Sequence, residues 1–283
     1  MGRLFVGLVM VGVLLVVVGP QQTAVGSTAP TAAVERAGAP VRDDCGVRTK
    51  KPNGTYWRCT FVDDFDGKQL AKHWVQHPEK IPLGPGAACR KRRNVQVRHG
   101  QLQLTVSRTK TVVGCQFHVA SVTTYRMFSQ KYGRFQARIK SRGTQHRGLQ
   151  EAFWLWPDDR YNKETSYPAM GEIDIVETYS QFPDLAVPYL HYRRNFGDRE
   201  PQTAQDCEAK RGQWHTYTLL WGPKRIEIKI DGKTCLINRS GNQAFKKRYI
   251  LCLSALSGVG PNGVTSKTPL PSMMRVDWVK VWR

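Results

Sequence analysis

The stretch GEIDIVET, from Gly171 to Thr178, constrains the fold of this chain more than any other. Three acids, Glu172, Asp174 and Glu177, are interleaved with Ile173, Ile175 and Val176. β-Branched residues at this density read as a strand, and a strand sends successive side chains to opposite faces. Glu172 and Asp174 then share one face, and Ile173 and Ile175 share the other. Strict alternation would carry Glu177 into the core and put Val176 on the acidic face. An unpaired buried carboxylate is costly, so the pattern predicts one extra residue, a β-bulge near Ile175–Val176, that returns Glu177 to the acidic face.

With the bulge, Glu172 and Glu177 stand about four strand steps apart, ~13 Å between Cα atoms. Two long glutamates leaning together can close that gap toward the roughly 5–5.5 Å of a retaining glycosidase pair. Asp174 is too short to be either member, but it can hydrogen-bond a carboxylate from the middle. Crowded like charges raise the pKa of one group, which leaves a proton donor beside an ionised nucleophile. The bland alternative is a solvated acidic strand face, and the rest of the chain has to decide between the two.

Length allows one large domain or two small ones. Residues 1–26 read as a secretory signal: Arg3 precedes a continuous apolar run from Leu4 to Val18, and Ala24-Val25-Gly26 resembles a cleavage site. The run is short for a membrane span, and no later stretch is long enough for one. Residues 27–44, rich in Ala, Thr, Pro and Gly, read as a flexible linker, and 45–283 as the folded domain. All seven cysteines lie beyond the signal, which in an exported chain predicts disulfides and one leftover thiol. Pairing nearest neighbours gives 45–59, 89–115 and 207–235, with Cys252 a buried free thiol inside YILCLSAL.

Basic residues outnumber acidic ones by 43 to 22, a net charge of +21. Such a balance raises the question of nucleic acid. The cations are spread along the whole chain, however, and an exported protein rarely meets nucleic acid. An anionic cell wall or an acidic polysaccharide is the better candidate partner, with a merely soluble basic surface as the plain alternative.

Short strand-like runs recur between turn signals, and no amphipathic helix longer than about three turns is present. QLQLTVSR (101–108) and HVASVTTY (118–125) alternate, and GRFQARIK (133–140) sets Phe135, Ala137 and Ile139 against Arg134, Gln136 and Arg138. In RIEIKIDGKTCLI (225–237), isoleucines alternate with charges up to Asp231-Gly232, a type I′ hairpin turn. MRVDWVKVW (274–282) supplies a last strand. Many short strands and almost no helix predict an all-β, antiparallel sandwich. In EAFWLWP (151–157), Trp154 and Trp156 share one face, and Phe153 and Leu155 the other. One pair faces the core and the other a cleft; alternation does not say which.

Taken in order, these blocks resemble glycoside hydrolase family 16 over roughly residues 60–283. DDFDGKQLAKHW (63–74) is similar to the family's opening segment, YGRFQARIK (132–140) and EAFWLWP to two of its strands, GQWHTYTLLW with IKIDGK to its later hairpin, and VDWVKVW to its closing strand. The resemblance implies a concanavalin-like jelly roll whose concave face binds a polysaccharide. It matches Glu172 to the nucleophile, Glu177 to the general acid/base and Asp174 to the assisting carboxylate. The bulged E-x-D-x-x-E form is similar to the laminarinase and agarase-like branches. Tyr167 stands where the laminarinase branch commonly has Trp, and it is expected beside the nucleophile. His191 matches a family histidine expected near Glu177. Asp277 sits where members often hold a structural calcium. Two departures bear on substrate: YILCLSALSG (249–258) lacks the usual cleft Asn or Gln, and DRYNKETSYPAM (159–170) lacks the usual Trp.

The expectation is therefore a secreted or wall-associated, monomeric, retaining endo-glycosidase needing no cofactor, acting by default on a β-1,3- or β-1,3/1,4-glucan. Rival readings are a β-galactan or acidic-polysaccharide hydrolase, a wall-remodelling transglycosylase, and a non-catalytic carbohydrate-binding protein. Retention of both glutamates argues against the last.

Overall fold

The computed structural model describes residues 40–76, 88–109 and 114–283. The expected signal, and the expected linker as far as residue 39, lie outside the described residues. Pro40–Arg283 forms one compact unit. Arg42–Asp43 pairs with Gly46–Val47, and the Asp43 carboxylate accepts the backbone N–H groups of Cys45 at 3.1 Å and Cys59 at 3.0 Å. Those bonds draw residues 40–44, expected as linker, into the folded unit.

The protein is an antiparallel β-sandwich. A continuous 16-stranded sheet folds over on itself into two layers. One layer runs Cys207–Glu208, Leu185–His191, Glu172–Tyr179, Leu149–Pro157, Tyr249–Ser257, Phe117–Thr123. The other runs Gln101–Arg108, Ser272–Trp282, Gly133–Lys140, His215–Trp221, Ile226–Ile230, Lys233–Asn238. The layers join where Ser107 and Arg108 pair with His118 and Phe117. All these pairings are antiparallel; the short strand Ala88–Arg90 lies parallel to Phe117–Thr123.

Alternation builds the core. Phe135, Ala137 and Ile139 from one layer meet Phe153, Leu155 and Ile173 from the other in a single buried cluster. Burying a large apolar side chain of this kind contributes roughly 1.5–3 kcal/mol. The hairpin after Ile230 turns on Asp231 (φ 48°) and Gly232 (φ 83°), the left-handed pair that a type I′ turn requires. Disulfides join Cys45 to Cys59, Cys89 to Cys115 and Cys207 to Cys235, and Cys252 is free and buried. Among the described residues no helix is long and apolar enough to cross a membrane.

Candidate active site

The acidic strand Glu172–Tyr179 lies between Leu149–Pro157 and Leu185–His191, and its irregularity is visible from both sides. Toward the first neighbour, Asp174 opposes Trp154 while Val176 opposes Phe153, so Ile175 is the extra residue. Toward the second, Asp174 opposes Tyr189 and Glu177 opposes Val187, three steps against two. Ile173, Ile175 and Val176 are all buried. Glu172, Asp174 and Glu177 line one cleft of about 470 Å³.

That cleft decides the tryptophan question. Trp154 and Trp156 line it, edge to face with centroids 5.8 Å apart, while Phe153 and Leu155 are fully buried in the core. The Trp154 indole N–H donates to Ser254 Oγ at 3.2 Å. The indoles offer flat apolar surface of the kind a sugar ring stacks on. On the adjacent strand, Ile250, Cys252, Ser254 and Leu256 floor the cleft, so the segment without the usual amide is largely apolar.

Electrostatics set the three acids apart. Glu172 is pushed up to about 8 by burial and by Asp174, while His191 opposes the shift. Asp174 is buried and held well above the usual carboxylate range by desolvation, then by Glu177. Glu177 Oε1 accepts a hydrogen bond from Gln150 Nε2 at 2.7 Å, and the Tyr179 hydroxyl also bonds it. Strand alternation places Gln150 on the same face as Ala152, Trp154 and Trp156, so period two was a signal that pointed to it. Arg90 and Ser121 also line the cleft, and no local pattern in the sequence marks either.

Tyr167 is half exposed, with its ring 5.5 Å from that of His191 and its hydroxyl bonded to Glu172. Burial, then Glu172, pushes that phenol up. His191 was expected beside Glu177. It lies directly across from Glu172, with Nε2 3.0 Å from Asp174 Oδ2, because the pairing register of the two strands sets it there, and the charge of Glu177 also acts on it. Its ring stacks on Tyr189 at 4.1 Å, and burial lowers its pKa. Glu172, Asp174 and His191 bring their ligand atoms within 4.8 Å of one another, a set that a divalent cation could occupy only by tying up Glu172.

Asp277 does not fit the calcium expected there. Its carboxylate accepts from Arg138 Nη1 at 2.6 Å, and that guanidinium also stacks on Trp214 at 4.8 Å. A cation thus already holds one oxygen of the acidic side chain on which the expectation rested.

Comparison with known proteins bears on the fold and the family. The family model for glycosyl hydrolases family 16 matches residues 87–258. A beta-glucanase of Rhodothermus marinus is 27% identical over 81% of this chain and 86% of its own length. Keratan-sulfate endo-1,4-beta-galactosidase of Sphingobacterium multivorum is 25% identical, and the chain spans only 40% of that protein. Among solved structures, the endo-beta-1,3-glucanase of Pyrococcus furiosus superposes with a TM-score of 0.72 at 20% identity, over 83% of this chain and 97% of that one. The laminarinase of Rhodothermus marinus gives 0.68 at 23% identity, over 80% and 97%. The two structural likenesses speak for the fold, and the family model, matched over more than half of the sequence, speaks for kinship: the chain belongs to family 16 of the glycosyl hydrolases.

Proposed function

We propose that the chain is an exported, endo-acting, retaining hydrolase of a β-1,3- or β-1,3/1,4-glucan. The observation that carries this reading is the bulge, which puts Glu172, Asp174 and Glu177 together in one cleft with Trp154 and Trp156. Glu177 protonates the leaving glycosidic oxygen while Glu172 attacks the anomeric carbon. Glu177, now ionised, then takes a proton from water as it attacks the glycosyl-enzyme. Tyr167 holds Glu172 by a hydrogen bond that favours its ionised form. Trp154 and Trp156 supply stacking surface, and no step calls for a cofactor. Three disulfides suit an oxidising destination. The names borne by the relatives favour a glucan, and the likeness to a galactosidase keeps a β-galactan as the second reading.

The test is incubation with laminarin, mixed-linkage β-glucan, agarose and keratan sulfate, with product lengths resolved. An early ladder of medium-length oligosaccharides from a glucan is expected. Cleavage of agarose or keratan sulfate alone would move the substrate to a galactan. Release of monosaccharide only, from any of them, would remove the endo assignment.

The carboxylate cluster also predicts a pH profile. The reactive form needs one ionised carboxylate and one proton, and apparent pKa values belong to the cluster rather than to one residue. Burial, then the neighbouring Asp174, pushes Glu172 up to about 8. Glu172 must be ionised to attack, so kcat/KM should climb as pH rises through neutrality toward about 8. Asp174→Asn deletes a neighbouring negative charge that raises Glu172, so the acidic limb of kcat/KM, set by ionisation of that nucleophile, should move to lower pH. An unmoved limb in that variant would show that Asp174 is not electrostatically coupled to the pair.

A further inference from the structure

Beyond the catalytic cleft the molecule carries a second one, of about 610 Å³, and its lining is chemically one-sided. Lys51, Lys131, Arg248 and Arg283 contribute four cationic side chains, and among the described residues no acidic side chain lines it. None of the four is paired with a carboxylate among the described residues. Flat aromatic surface lies among the charges. The Lys51 ammonium sits 5.0 Å over the Trp57 ring, and that of Lys131 lies 5.0 Å from the Tyr132 ring. Trp221, a core residue only 4% exposed, reaches the same cleft, and its indole N–H has no hydrogen-bond partner.

We propose that this cleft is a second, non-catalytic glycan site that takes an acidic polysaccharide, a chain whose sugars carry carboxylate or sulfate groups. Cations without a carboxylate partner that line one concavity attract anions more strongly than the same charges spread over an open surface. Charge alone would suit any polyanion. Alternating cationic and aromatic surface suits a ligand that offers both anionic substituents and apolar sugar faces. The position is apt as well. Arg248 lines this cleft and Ile250, two residues on, lines the catalytic one, so the two sites are about two strand steps, ~7 Å, apart at that point. An acidic chain held here would keep the enzyme on a wall or matrix while a glucan is cut next door. This gives part of the net charge of +21 a defined place to act.

The test uses the full chain and needs no turnover, so it stands or falls independently of the assigned reaction. Polygalacturonate, dextran sulfate, neutral dextran and a double-stranded DNA of matched length are compared by affinity electrophoresis at physiological salt. The wild type should be retarded by the two acidic polysaccharides and not by dextran. Lys51→Glu/Lys131→Glu should weaken both acidic interactions at least tenfold. Trp57→Ala, which changes no charge, should weaken them severalfold and leave retardation by DNA unchanged. Neither variant should alter kcat or KM on a short neutral oligosaccharide or shift the melting temperature by more than a few degrees, which separates loss of the site from loss of the fold. Unchanged retardation of the double variant would overturn the proposal. So would an undiminished interaction in Trp57→Ala, or DNA bound more tightly than the polysaccharides, since either would leave only a general attraction for polyanions.

Discussion

Glu172→Ala should lose on the order of 10⁴-fold or more of the activity on polysaccharide, the scale expected when one member of a unit-acting pair is removed. Azide should restore turnover of an activated aryl β-glycoside by entering the space the side chain leaves. Attack from that side inverts the anomeric centre once, so the product is an α-glycosyl azide. Glu177→Ala should fail comparably on polysaccharide, whose leaving group needs a proton. It should keep much of the first step on the activated aryl glycoside, whose leaving group does not. Azide then attacks the glycosyl-enzyme at Glu172, and two inversions give a β-glycosyl azide. The decisive measurement is the anomeric configuration of each product by NMR. Swapped configurations would reverse the two roles. Full activity in both variants would move the chemistry off this strand altogether.

The acidic strand was legible because its constraint is local. Period-two alternation and the cost of burying Glu177 are properties of eight consecutive residues, and together they require a bulge where Ile175 supplies one. The hairpin at Asp231-Gly232 was legible for the same reason, since its left-handed φ values are a demand on two residues. What stayed hidden depends on pairing. Alternation grouped Trp154 with Trp156 but could not say which face was core, because that depends on what packs behind Phe153 and Leu155. The partner of His191 depends on the register between two strands. The fate of Asp277 depends on Arg138, a neighbour distant in sequence and bonded to it only once the closing strand pairs with Gly133–Lys140. The start of the folded unit was misjudged because the bonds of Asp43 to backbone N–H groups leave no compositional trace.

Glu151 is the most instructive of the hidden residues, and it carries the second large prediction. Alternation through Phe153 and Leu155 puts it on the core face, where an acid ought not to be. There it meets Arg211 in a two-pronged pair, Nη1 to Oε2 and Nη2 to Oε1, both 2.7 Å, with each side chain at least 97% buried. The Thr178 hydroxyl donates to Glu151 Oε2 at 2.8 Å, and Arg211 Nε donates to the Arg142 carbonyl at 3.1 Å. Desolvation takes back much of what such a pair gains, so its net contribution is small. Removing one partner is a different matter, because it strands a buried charge, at a cost of about 3–5 kcal/mol. Arg211→Met and Glu151→Leu should each lower stability by that much in reversible urea unfolding with the disulfides intact. The double variant should cost far less than the sum, since no charge is then left uncompensated. Thr178 follows Glu177 directly, so either single variant should also reduce kcat on glucan, by loosening the strand that aims the acid. A loss below about 1 kcal/mol in both single variants, or strict additivity in the double, would mean that water reaches the pair and that the core does not depend on it.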